Sequence, residues 1–237
     1  MERLWERVTS PQPVPDPAFV LLTGAVALLL VLAPVTWPRV RLGVTIVHEA
    51  GHALVAVLAG RRLQGIRFHS DTSGVTVTRG RPGGPGMVAT LLAGYLAPGL
   101  VGLGAALLLA AGRSLALLWL VVGLLAVLLL WVRNFYGFVA VVGVGGAVAA
   151  VSWYAAPEQQ SVLAYLIAWV LLLAAPRPLV ELLTDRRRSR TSDPDQLARL
   201  THVPAMLWIL LMLLADLAGL VVGVATLAPD LLSSGTG

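Results

Sequence analysis

The stretch VTIVHEAGHALVAVLAG, residues 44 to 60, decides the fold. Without His48, Glu49 and His52 it is an ordinary apolar helix of the kind that crosses a membrane. With them, three ionisable groups stand within five residues of one another in a segment where each is costly to desolvate. The rest of the chain has the same apolar character. Of 237 residues, 57% are hydrophobic and 12% charged, against roughly 45–50% and about 25% in soluble domains. The mean hydropathy is +0.84.

Apolar runs close to the ~20 residues needed to cross a bilayer recur along the chain. They predict spans near 18–36, 42–60, 86–112, 115–132, 135–155, 160–176 and 204–228. The expectation is an all-α polytopic membrane protein of about six to seven transmembrane helices, forming a single membrane-embedded domain over 1–237. Residues 1–17 make a polar lead-in. The turn at Arg133 and Asn134 is only a few residues long, so six spans with a re-entrant segment stay open. Alternating apolar and polar residues on either side of DTSG predict a small β-hairpin within 63–81, after the second span. A basic and then acidic loop covers 185–203, with a short helix starting near Ser192 or Asp193.

The chain has no cysteine, which excludes disulfides, thiolate metal sites and cysteine nucleophiles. Its net charge of +5 is no evidence for nucleic acid, because the arginines fall between spans. With seven crossings, fourteen of the 17 arginines lie on one side, and Arg39, Arg41 and Arg113 on the other. The positive-inside rule then places the N-terminus and both large loops in the cytoplasm. The arginine run 186–190 reads as a topology determinant facing anionic headgroups.

His48 and His52 are four residues apart, so they share one helix face and aim both imidazoles at one point. That arrangement suits two ligands of a tetrahedral zinc ion. Glu49 lies about 100° around the helix, where it can act on a water without ligating the metal. Four His and five Glu in 237 residues give a chance H-E-x-x-H on the order of one in a thousand times. Two bundle histidines with Glu49 as counter-ion is the plain alternative, and the spacing favours the metal.

HEAGHALVA on an apolar span resembles the site-2 protease family of intramembrane zinc metalloproteases, in its compact bacterial, peptidase-M50B-like branch. SDTSGVT, AGYLAPGLVG, RNFYG and TSDPDQLARLTHVPAMLW extend the resemblance over most of the chain. It implies a zinc-dependent endopeptidase in a bacterial plasma membrane, acting on membrane-spanning or membrane-adjacent protein or peptide substrates. In the wider family an aspartate in an L-D-G motif completes the site, and this chain has no L-D-G. The compact branch instead points to Asp193 as third ligand, with Asp195 close by. On physics alone Asp216 stands out, being an acid inside a span; Asp71, Glu181 and His202 are further candidates. Asn134 matches an asparagine that, in the wider family, donates a hydrogen bond near the metal; its other reading is a turn-former. His69 reads as a surface residue of the hairpin. The hairpin edge could take up an extended substrate as an added strand. A non-proteolytic metal-binding scaffold is the alternative from another class.

Overall fold

The computed structural model describes residues 6, 8, 10–185 and 191–229. Seven apolar helices carry most of the chain: α1 (Pro17–Leu32), α2 (Trp37–Leu58), α3 (Pro85–Ala110), α4 (Ser114–Leu129), α5 (Phe135–Tyr154), α6 (Pro157–Ala174) and, last, α9 (Ala205–Leu227). The shorter α7 (Pro176–Asp185) and α8 (Asp193–Thr201) precede α9. Strands β1 (Arg62–Phe68) and β2 (Gly74–Arg79) form an antiparallel hairpin between α2 and α3. The all-α polytopic architecture with one hairpin is thus the one expected. The arginine run 186–190 lies outside the described residues.

Helix starts follow local chemistry. Asp16 caps α1, its carboxylate accepting from the Ala18 amide at 2.8 Å, with Pro17 at the first helical position. α3, α6 and α7 likewise open on proline. At α8, Ser192 and Asp195 form a capping box: the Asp195 carboxylate accepts from the Ser192 hydroxyl (2.6 Å) and amide (3.2 Å). Small residues then let the helices close on one another. A Cβ on Gly102 would lie 2.9 Å from the Leu172 amide nitrogen of α6, and one on Gly51 2.5 Å from Ala97 of α3. Ala105, Ala106 and Leu109 of α3 pack with Ala164, Tyr165, Ala168 and Leu172 of α6 in the largest buried cluster.

The crossings differ from the expected alternation at one place. α1 runs alongside α6 in the same direction, with Phe19 against Tyr165, Gly24 against Trp169 and Val31 clustered with Ala174. α3 runs against α6, since Gly99 faces Ala175 and Gly102 faces Leu172. α2 in turn runs against α3, with Gly51 facing Ala97 and Ala59 facing Gly86. α1 therefore ends level with the middle of α3, and α2 carries the chain on to the hairpin end. The two helices cross the bundle once between them. Among the described residues five helical stretches are long and apolar enough to cross alone, α2 included; α1 and α4, at 16 residues each, are shorter. The elbow between α1 and α2 satisfies its polar groups internally: the Leu30 carbonyl accepts from Thr36 Oγ1 (2.7 Å) and that of Val31 from Arg177. The Arg177 guanidinium lies 4.0 Å over the Trp37 ring.

One consequence is a reversal. The Gln12 amide donates to the Gly112 carbonyl (2.7 Å), and Gln12 Oε1 accepts from the Leu115 amide (2.9 Å). The lead-in thus sits at the α3–α4 turn, while the hairpin sits at the other end of the 26-residue α3. The sequence reading put lead-in and hairpin on one side; the structure puts them at opposite ends.

Candidate metal centre

His48 and His52 stand on the face of α2 that meets α3, and the packing there is made by absent side chains. A Cβ on Gly94 would lie 2.4 Å from the His52 ring and 2.7 Å from that of His48, so only glycine leaves room for both imidazoles. The Tyr95 ring meets His48 edge-on at 4.7 Å between centroids. His52 Nδ1 lies 2.7 Å from the Thr90 carbonyl oxygen, which can accept only a proton. That contact makes Nδ1 the donor and turns Nε2 towards the site.

The start of α8 brings the third group. Asp193 Oδ2 lies 3.1 Å from His52 Nε2 and 3.3 Å from His48 Nε2, and the two Nε2 atoms are 3.0 Å apart. Burial pushes the Asp193 carboxyl up, but its hydrogen bonds to His48 and His52 outweigh this and hold it well below the ordinary carboxylate range. One carboxylate oxygen and two imidazole nitrogens thus converge on one point. Ligands 2.0–2.1 Å from a tetrahedral zinc ion are about 3.3 Å apart; the triangle formed by these three atoms, 3.0, 3.1 and 3.3 Å on its sides, is close to that. The donor set of two nitrogens and one oxygen suits the same ion.

The other candidates are elsewhere. Asp195 is occupied in the α8 capping box. Asp216 is buried against Gly99 in a cavity between α3 and α9, one carboxylate oxygen lacking a hydrogen-bond partner among the described residues. Glu181 pairs with Arg41 (3.4 Å) and Arg177 (3.3 Å). His202 ends α8 in the left-handed region, at φ 60°. His69 and Asp71 flank Ser73 at the exposed hairpin turn, where hydrogen bonds from Ser73 hold the Asp71 carboxyl below its usual range.

Residues 21–223 match a family model described as Peptidase M50B-like. The chain belongs to the Peptidase M50B-like family. No curated protein and no solved structure matches it. In this family member Glu49, beside His48, is turned towards the hairpin and is 4% exposed. Thr76 of β2 donates to its Oε2 at 2.6 Å. Asn134 is spent on the hairpin as well: its Oδ1 accepts from the Phe68 amide (3.2 Å) and its Nδ2 donates to the Phe68 carbonyl (2.6 Å). Thr76 and Thr90 are missing from the sequence reading. Each acts across 27 or more residues of chain, and no local spacing marks them.

Proposed function

We propose that this Peptidase M50B-like protein is a zinc-dependent endopeptidase hydrolysing peptide bonds of membrane-spanning or membrane-adjacent substrates. The convergence of His48 Nε2, His52 Nε2 and Asp193 Oδ2 carries the reading. These three would hold the ion, with the Thr90 carbonyl orienting His52. Zinc, when bound, supplies Lewis acidity at the scissile carbonyl. Glu49 is the general base: it takes a proton from the attacking water and returns it to the leaving amine nitrogen. Asn134 serves by fixing β1.

β1 is paired on both sides, with β2 and, through Ile66, with the Trp131 carbonyl (2.8 Å) and the Arg133 amide (2.9 Å). The open edge of the hairpin is therefore that of β2. An extended substrate would add there as a strand, exposing amide bonds that a helix hides. Arg61, Arg62, Arg67, Arg79, Arg81, Arg133 and Arg199 belong to the hairpin end, whereas Arg113 lies at the end that holds the lead-in, whose sequence adds Arg3 and Arg7. The positive-inside rule then makes the hairpin end cytoplasmic and moves the N-terminus to the opposite face of the cell membrane.

The test is a purified Glu49→Gln protein assayed on a single-span reporter. It should keep the metal of the wild type and lose cleavage by about 10²–10⁴-fold, the range of general acid–base assistance. Undiminished cleavage would refute the mechanism. A metal-loaded wild type that cleaves no reporter would favour the scaffold reading.

A further inference from the structure

We infer that the hairpin is a clasp that orients Glu49, with Thr76 as the positioning residue and Gly74 as the gap that admits the carboxylate. The inference rests on the peptidase reading for its catalytic consequence, and on geometry for the clasp itself. Strand alternation puts residues 74 and 76 on one face of β2, and that face lies against Glu49. Thr76 Oγ1 is 2.6 Å from Glu49 Oε2 and 3.1 Å from the Glu49 carbonyl oxygen. The shorter contact is the length of a charge-assisted hydrogen bond from a hydroxyl to a carboxylate. At Gly74 a Cβ would lie 2.6 Å from Glu49 Cγ, 2.7 Å from Oε1 and 2.9 Å from Cδ, so any side chain there would displace the glutamate.

The clasp is anchored independently of Glu49. Thr45 of α2 donates its hydroxyl to the Thr72 carbonyl at 2.8 Å, beside the hairpin turn. On the other edge, Ile66 pairs with Trp131 and Arg133, and Asn134 holds Phe68 by both amide groups. Phe68 pairs with Gly74 and Ile66 with Thr76 in the strand register. A continuous path therefore leads from the α4–α5 turn, through two strand pairs, to the base. A glutamate side chain left free would sample many rotamers; the clasp removes that freedom before substrate arrives.

Two measurements on the full-length protein in detergent test this. The first is a double-mutant cycle on the thermal midpoint with Thr76→Val and Glu49→Ala. If Thr76 acts through Glu49, the double variant should lose no more than Glu49→Ala alone. Losses that add would mean Thr76 only packs, and would overturn the clasp whatever the protein catalyses. The second is cleavage of a single-span reporter. Thr76→Val should lower kcat about tenfold or more with KM and metal content unchanged, and Thr76→Ser should restore it to within about threefold. A serine variant as impaired as valine, or an effect confined to KM, would contradict the positioning role. Wild-type protein that holds metal yet cleaves nothing would remove the peptidase reading, and the thermal cycle would still decide the clasp.

Discussion

His52 is informative because both of its ring nitrogens are accounted for. One faces a carbonyl oxygen and the other faces a carboxylate and a second imidazole. The two rings and the carboxylate crowd into the space that Gly94 leaves open. Gly94 is the residue most sensitive to this crowding. A Gly94→Ala protein should bind zinc about 10–100-fold more weakly, as does loss of a group that orients a ligand; competition with a chromophoric chelator measures it. Unaltered affinity would mean that the rings yield freely. At this scale the sequence showed His48, Glu49 and His52 through spacing alone. It left Asp193 among several acids, because a contact across 141 residues has no local signature. Gly94 works by lacking a side chain, and although the small residues of its helix mark close packing, nothing local ties it to the two imidazoles.

The hairpin and α8 are small elements with large positional roles. Asn134 links the α4–α5 turn to β1, and removing its amide leaves the Phe68 amide and carbonyl without those partners. Asn134→Ala should cost about 1–3 kcal/mol locally, seen as faster hydrogen exchange at β1 and β2 amides while the helices stay protected. Protection unchanged at Phe68 would remove Asn134 from this role. The α8 start depends on Asp195, so Asp195→Ala should destabilise the protein by about 1 kcal/mol through the lost cap, read in the thermal midpoint. The hairpin and α8 were both legible, from period-two alternation about DTSG and from Ser192 before an acidic turn. Their docking was not, since the pairing of β1 with Trp131 and Arg133 joins segments some 65 residues apart.

At the scale of the whole molecule, five described helices are long and apolar enough to cross a membrane, two apolar ones are shorter, and both described ends of the chain lie away from the hairpin. Hydropathy found every apolar helix but could not distinguish a broken crossing from a turn back. The deciding features were the short α1 and an elbow sealed by Thr36 and Arg177. In this geometry the histidines lie in the hairpin-side half of α2, within reach of α8. Because the chain lacks cysteine, single cysteines report sidedness cleanly. Val14→Cys and Val75→Cys, both at exposed positions, should be labelled by an impermeant maleimide from opposite faces of the membrane; labelling from one face would contradict the topology. The most direct measurement of the central claim is the metal content of purified protein by mass spectrometry. One zinc per chain is expected in the wild type and in Asp216→Asn, and a small fraction of that in Asp193→Asn and His52→Ala. A wild type devoid of metal, or an Asp193→Asn protein that retains a full equivalent, would contradict it.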